Sequence, residues 1–152
     1  MKFSTRTLYG LKAVLVLALR FGEGSVSVSQ IAKKEGLSVS YLEQILNALK
    51  KKGLVKSVRG PQGGYVLAQK PSDVTLEQLF HAFESRLSTE KENKAAGSRE
   101  SDEVSIGNAL FWHKFSESIR EGLSQITLKG LLDEARQAKK SKKPSQAQTF
   151  HI

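Results

Sequence analysis

The stretch from residue 28 to residue 45 restricts the possible folds of this chain more than any other part of it. It contains two helical patterns, predicted over about residues 28–35 and 39–52, that are separated by a very short turn. Ala32 is small enough to let two helices cross closely, and Gly36, four residues later, tolerates the positive φ of a tight turn. The apolar residues that would lock the two helices together are Ile31, Leu37, Leu42 and Ile45. The pattern predicts a helix-turn-helix in preference to a generic helical hairpin.

The second of these helices presents two chemically different faces. Its predicted buried face contains Val39, Leu42, Ile45, Leu46 and Leu49. Its outward face contains side chains that form hydrogen bonds, namely Ser40, Tyr41, Glu43, Gln44 and Asn47. The amides of Gln44 and Asn47 fit adenine edges, the carboxylate of Glu43 can accept from cytosine, and hydroxyls suit phosphates or base edges. This face predicts a helix that reads DNA bases, with a merely solvated face as the alternative.

Two strand candidates follow this helix, at residues 54–58 and 65–68, and a turn-rich tip joins them. The tip reads Arg-Gly-Pro-Gln-Gly-Gly over residues 59–64. Its glycines, beginning with Gly60, keep it narrow enough to approach DNA closely, and its proline stiffens it. The guanidinium of Arg59 at this tip suits a narrow minor groove, where the negative potential is strongest. The helices and this hairpin together predict a winged helix-turn-helix.

The remaining sequence predicts further helices and two polar segments. A first helix over about residues 5–21 is predicted to bury Leu8, Leu11, Val14, Leu15, Leu17, Ala18 and Phe21. Thr75 caps a helix that completes a predicted DNA-binding domain of residues 1–84. Residues 85–104 are polar and predict a mobile loop, and residues 139–152 are basic and predict a flexible tail.

Between those polar segments, residues 105–138 predict two helices. The longer one, over about residues 106–124, carries an apolar stripe made of Ile106, Leu110, Trp112, Phe115, Ile119 and Leu123. Thr127 caps the shorter one. One small domain cannot easily cover such a stripe by itself.

Charge and composition narrow the functional classes. The chain has 24 Lys and Arg against 15 Asp and Glu, and this formal net charge of +9 favours a polyanionic partner. Lys56 is the lysine predicted to contact a DNA phosphate. The chain has no cysteine, which excludes disulfides, thiolate nucleophiles and Cys-bound metals. The histidines have no metal-ligand spacing, and no Ser–His–Asp arrangement or phosphate-binding loop is present, so neither an enzyme nor a cofactor is expected.

The N-terminal sequence gives an expectation about location. It lacks the cleavage site of a signal peptide. The apolar run over residues 8–21 is interrupted by Gly10, Lys12 and Arg20 and is too short to span a membrane. A cytoplasmic protein is therefore expected.

Four motifs are the most specific parts of the sequence. They are Ser-Val-Ser-Tyr-Leu-Glu-Gln-Ile at residues 38–45, Gly-Leu-Val-Lys-Ser-Val-Arg-Gly at 53–60, Gly-Gly-Tyr-Val-Leu at 63–67, and Ile-Thr-Leu at 126–128 with Leu131. Through them the chain resembles the Rrf2 family of bacterial winged-helix regulators over roughly residues 1–135. The resemblance implies a mainly α fold with a small β wing and a long C-terminal dimerisation helix.

The same resemblance implies which residues contact DNA and a second copy of the chain. DNA contacts are implied for the segment from Ser38 to Gln44 and for the wing arginine, Arg59. A homodimer is implied in which the long helix crosses its twin. The interface residues would be Leu110, Trp112, Phe115, Ile119 and Leu123.

The chain departs from the family at the positions of the iron–sulfur ligands. Cluster-binding members carry three cysteines in the loop that corresponds to residues 88–105, and this chain has none. Ser105 stands about where the last cysteine would be, Asn108 where some members have a histidine ligand, and Leu8 where others have a carboxylate. The cluster chemistry is therefore not expected here, and the pattern resembles the cysteine-metabolism repressor branch.

That branch ends in a short aromatic-rich segment that closes with isoleucine, and its partner is a cysteine synthase. This sequence likewise ends in Phe150, His151 and Ile152. The resemblance implies that Phe150 and Ile152 bind such an enzyme, with a solvated tail as the alternative.

These observations predict a sequence-specific transcription regulator, a repressor, that binds a two-fold symmetric operator as a homodimer and has a link to sulfur metabolism. Two other classes stay open. A winged-helix protein-interaction module would carry an apolar or acidic outward helix face. An architectural DNA binder without sequence preference would carry one dominated by Lys and Arg. The polar face over residues 40–47 disfavours both classes.

Overall fold

The structure is a computed structural model that describes residues 3–84 and 102–142. Within these ranges the elements, in chain order, are α1 (Thr5–Leu19), α2 (Val28–Glu35), α3 (Val39–Lys51), β1 (Val55–Val58), β2 (Gly64–Leu67), α4 (Leu76–Phe83), α5 (Glu103–Ser124) and α6 (Leu128–Ser141). The predicted fold class, mainly α with a small β wing and a long C-terminal helix, is confirmed.

The helix ends follow from local sequence. Ser27 and Thr75 form complete capping boxes at the starts of α2 and α4. Ser38 caps α3 by accepting a hydrogen bond from the backbone N–H of Tyr41. Gly36 ends α2 in the left-handed region at φ 66°, which glycine adopts without steric cost. The predicted tight turn between α2 and α3 is therefore confirmed.

Helix α3 lies at the centre of the hydrophobic core. Its fully buried residues are Leu42, Ile45, Leu46 and Leu49, as predicted. Val39 was also expected to be buried, but that prediction is wrong, because 44% of its surface is exposed. Val39 is the first residue of α3, and the buried positions begin one turn later, at Leu42.

Helix α1 buries three of the seven predicted residues, Val14, Leu17 and Ala18, and half-buries Leu11 and Leu15. Leu8 and Phe21 were expected inside and are both exposed, Leu8 to 51%. The buried positions include Thr7, Gly10 and Leu17, with Ala13, Val14, Val16 and Ala18. Gly10 lies so close to Phe83 of α4 that an added Cβ would overlap the ring. The face of α1 that includes Gly10 therefore packs closely against α4, and Leu8, two residues before Gly10, lies on the opposite side of the helix.

Two predicted boundaries need correction. Helix α5 begins at Glu103, inside the segment 85–104 that was predicted to be a loop, because Asp102 caps it. Helix α6 continues to Ser141, into the predicted flexible tail. Residues 85–101 and 143–152 of those two segments lie outside the described residues.

Backbone pairing ties the C-terminal helices to the rest of the fold. Thr75 and Thr127, the N-caps of α4 and α6, form an antiparallel bridge. The N–H of Leu76 donates to the carbonyl of Ile126 at 2.9 Å, and the N–H of Leu128 donates to the carbonyl of Val74 at 3.0 Å. The side chain of Leu128 is fully buried in the core. None of the helices in the described ranges combines the length and apolar character needed to cross a bilayer.

Candidate nucleic-acid interface

The predicted base-reading face of α3 is exposed. Ser38, Ser40, Glu43, Gln44 and Asn47 are all exposed to solvent. Ser38 is engaged in capping, and its Oγ accepts from the N–H of Tyr41 at 3.2 Å. Across residues 3–84 and 102–142, the side chains of the other four form no hydrogen bond or ion pair, so their polar groups are available to an outside partner.

Tyr41 differs from these residues because its side chain is half-buried. Its ring meets the ring of Tyr9 on α1 edge to face, with the centroids 6.1 Å apart. Tyr9 was not among the predicted site residues. An aromatic residue on α1 facing the first turn of α3 becomes apparent only when the two helices are placed together.

The wing is an antiparallel hairpin in which Val55 pairs with Leu67 and Val58 pairs with Gly64. The hairpin exposes Lys56, Arg59 and Gly60 to solvent. The backbone of Gly60 has a φ of 118°, a conformation that residues with a side chain rarely adopt. The predicted wing is therefore present. DNA contacts by Arg59, Gly60 and Lys56 stay predictions.

The wing is anchored to the segment that precedes α2. Val26 and Tyr65 exchange backbone hydrogen bonds of 3.0 and 2.9 Å. The hydroxyl of Ser25 donates to the carbonyl of Gln62 at 2.5 Å. At Gly64 an added Cβ would overlap the carbonyl of Val26. Glycine at position 64 is thus required by the close approach of this neighbouring backbone.

A side-chain contact links α3 directly to the wing. The Nζ of Lys50, in the last turn of α3, donates to the Oγ of Ser57 on β1 at 2.7 Å. Lys51 also lies in this last turn, and Lys33 and Lys34 lie in the last turn of α2. Cations there stabilise the helix ends, so these lysines have a structural role whether or not they contact phosphates.

Helix α5 exposes a large apolar surface. None of its 22 residues is buried within the described part of the chain. Of the predicted interface residues, Leu110, Trp112 and Phe115 are exposed, whereas Ile119 and Leu123 are half-buried. The other large apolar residues exposed on this helix are Val104, Ile106 and Phe111.

The exposed surface of α5 contains an aromatic cluster that we define as Phe111, Trp112 and Phe115. The centroid of the Phe111 ring lies 5.2 Å from that of Trp112 and 6.0 Å from that of Phe115. The centroids of the Trp112 and Phe115 rings are 5.8 Å apart. Phe111 was not among the predicted interface residues. The signal that would have found it is its spacing of four residues from Phe115, which places both rings on one side of the helix.

The residues at the family's cluster positions do not fit an iron–sulfur group. The backbone N–H and the hydroxyl of Ser105 donate to the carboxylate of Asp102 at 2.7 and 3.1 Å, so Ser105 is engaged at the start of α5. These hydrogen bonds, that from the backbone N–H of Ser105 above all, lower the pKa of Asp102. Leu8 offers no donor atom. Among the described residues, no group of three or more His, Cys, Asp or Glu side chains could hold a metal ion.

The predicted tail contacts lie outside the described residues. Phe150 and Ile152 belong to residues 143–152, so binding of a cysteine synthase through them stays a prediction.

Comparison with known proteins identifies the family. The Rrf2 family, described as an iron-dependent transcriptional regulator, matches residues 3–134. The chain is 35% identical over 133 residues to the HTH-type transcriptional regulator CymR of Bacillus subtilis (strain 168), covering 86% of this chain and 89% of that protein.

Solved structures agree with this assignment. The structure of T. potens IscR matches with a TM-score of 0.73 and 38% identity, over 97% of this chain and 93% of that one. CymR (YrzC), the global cysteine regulator of B. subtilis, matches with a TM-score of 0.71 and 34% identity, over 88% of this chain and 98% of that one. The chain therefore belongs to the Rrf2 family and is a DNA-binding transcription regulator of the winged helix-turn-helix type.

Proposed function

We propose that this regulator is a repressor that binds a two-fold symmetric operator as a homodimer. The observation that carries the proposal is the exposed face of α3, on which Ser40, Glu43, Gln44 and Asn47 have no partners among the described residues. These side chains match base edges in the major groove, where each base pair presents a distinct pattern of donors and acceptors. The lysine- and arginine-rich face of a binder without sequence preference is not what α3 presents.

The wing supplies the second DNA contact. Arg59 extends from the hairpin tip, and a guanidinium at a narrow tip can enter the minor groove. The wing is fixed to α3 by Lys50 and Ser57, and to the start of α2 by Val26 and Tyr65. Because the hairpin backbone is anchored on both sides, ordering on binding is needed chiefly in the Arg59 side chain itself.

A second copy of the chain is the occupant proposed for the exposed face of α5. The aromatic cluster and the neighbouring Leu110 give this helix a continuous apolar surface. Apolar surface of this kind is typical of permanent dimers, whose interfaces resemble a divided domain core. A two-fold dimer would present two copies of α3 and of the wing, so its operator should have two-fold symmetry.

The test is selection of bound duplexes from a random DNA pool by the purified full-length chain. A two-fold symmetric consensus is expected, with half-sites separated by about one helical turn or a multiple of it. An enriched sequence without symmetry would contradict the dimeric mode. Retention of DNA with no enriched sequence would favour an architectural binder, and no retention at all would favour a protein-interaction module.

The set of regulated genes is proposed to concern sulfur metabolism. The similarity to the global cysteine regulator of B. subtilis supports this, as does the absence of cysteine from this chain. T. potens IscR is of comparable similarity, so the proposal must be tested against iron–sulfur regulation. Mapping of binding sites in the host genome should place them upstream of genes for sulfur uptake or cysteine synthesis. Sites confined to iron–sulfur assembly genes would refute the proposal.

A further inference from the structure

Tyr41 is held in place by the protein at both its backbone and its ring. Its backbone N–H donates to Ser38 Oγ at 3.2 Å, which fixes the first turn of α3. Its ring meets the Tyr9 ring with an interplanar angle of 87°, the edge-to-face arrangement that aromatic pairs prefer. Every other residue predicted to contact DNA is exposed. Tyr41 is therefore the predicted contact residue whose orientation is set before DNA arrives.

Tyr9 is itself held by a neighbouring cation. The Nζ of Lys12 lies 5.7 Å from the centroid of the Tyr9 ring, within the range of a cation–π contact. The same ammonium group lies 3.3 Å from Oε2 of Glu35, whose side chain is only 16% exposed. Glu35 is the last residue of α2, where the helix dipole disfavours a carboxylate, and Lys12 offsets that cost. The contacts connect Glu35 of α2, Tyr9 and Lys12 of α1, and Tyr41 of α3.

We propose that Tyr9 is a positioning residue for operator recognition, which it serves by fixing the ring of Tyr41. The inference rests on the proposed function, in which α3 reads the operator. A tyrosine on a helix surface ordinarily samples several rotamers, and ordering it on binding reduces the affinity. The Tyr9 ring removes that cost in advance. Tyr9 therefore affects affinity for the operator without contributing to the general attraction to phosphates.

The chain offers closely matched variants at this position. Among the described residues the hydroxyl of Tyr9 forms no hydrogen bond, so Tyr9→Phe keeps the ring contact and loses nothing else. Tyr9→Leu removes the ring. Tyr9→Met is a second ring-free variant with a flexible apolar side chain, which can fill the space if leucine lowers the melting temperature below that of the assay.

The measurement is the ratio of affinities for the selected operator and for an unrelated duplex, both at one salt concentration. Tyr9→Leu, or Tyr9→Met in its place, should lower this ratio about three- to tenfold, the effect of losing one edge-to-face aromatic pair. Tyr41 is proposed to contact a base edge rather than a phosphate, so the affinity for the unrelated duplex should not change, and Tyr9→Phe should match the parent. In a Tyr41→Ala background the ring-free variant should have no further effect, since the coupled partner is absent.

Two results would overturn the inference. One is an equal loss on both duplexes, which is what a purely structural role predicts. The other is that the effect of the ring-free variant on this ratio does not depend on Tyr41. That would be so if the same loss occurred in the Tyr41→Ala background, or if Tyr41→Ala alone left the ratio unchanged. A parent protein that shows no preference for any operator would instead refute the proposed function. The two failures are therefore distinguishable.

Discussion

Arg59 lies at the tip of the wing and makes no ion pair or hydrogen bond within residues 3–84 and 102–142, so its guanidinium is available to DNA. Replacing Arg59 by alanine should weaken operator binding by about 1–3 kcal/mol, the usual range for a base-reading arginine. The check is the dissociation constant for the selected operator at fixed salt. Lys56→Ala is the matched control on the same hairpin. It should weaken binding to all duplexes alike, as expected of a phosphate contact. An Arg59→Ala protein with unchanged operator affinity would exclude the wing from recognition.

Gly64 is the residue whose replacement should damage the wing most directly. A Cβ at this position would overlap the carbonyl of Val26. Gly64→Ala must therefore displace one of the two paired backbones, at a cost of about 1–3 kcal/mol in the free energy of unfolding. Denaturant unfolding measures this loss. Gln62→Ala serves as the control because it keeps the carbonyl that accepts from Ser25, so its stability should stay near that of the parent. Equal stability of the two variants would show that the wing is not anchored at Val26.

Single residues also show what a sequence can and cannot predict. The N-caps Ser27, Ser38 and Thr75 were predictable, because capping depends only on residues within one turn of the helix start. The contact between Tyr9 and Tyr41 was not predictable, because it depends on how α1 crosses α3. The same holds for Leu8, whose exposure follows from the close packing of Gly10 against Phe83 rather than from any local pattern.

Among the elements, α5 gives the sharpest test of assembly. Phe115→Glu places a charge in the aromatic cluster, and two such charges would be buried at a two-fold interface, so monomers or insoluble protein are expected. Sedimentation at micromolar concentration distinguishes monomer from dimer. A parent protein that sediments as a monomer would refute the proposed dimer.

The elements of the DNA-binding part could be predicted more closely than those that follow it. The periodicity of α3 correctly predicted Leu42, Ile45, Leu46 and Leu49 as core residues. The prediction was possible because these side chains are fully buried within this chain, so the apolar spacing matches one buried face of the helix. In α5 the stripe of six predicted residues overlooked Phe111, and within residues 3–84 and 102–142 no residue of the helix is buried. Burial within the described residues therefore does not separate the faces of α5 as it separates those of α3. The start of α5 was placed too late because Asp102 was not recognised as its cap.

The whole chain makes a clear prediction about iron. The family is described as iron-dependent, yet this chain has no cysteine, and Ser105 is engaged with Asp102. Anaerobic reconstitution with iron and sulfide should give colourless protein, because thiolates are the usual ligands of such clusters. Operator affinity should be the same before and after the treatment. A stoichiometric visible chromophore with bound iron would show that other donors replace cysteine here.

The bridge between Thr75 and Thr127 determines where such a chain can accept inserted residues. It sets the starts of α4 and α6 side by side, so the chain that leaves through α4 and returns through α5 re-enters the core at a fixed point. Closing a longer loop costs only about 0.6 kcal/mol for each doubling of its length. Insertions between Glu84 and Asp102 should therefore be tolerated while the register of α6 is kept. A ligand-binding segment from another protein could therefore be inserted at that position without changes to α3 or the wing.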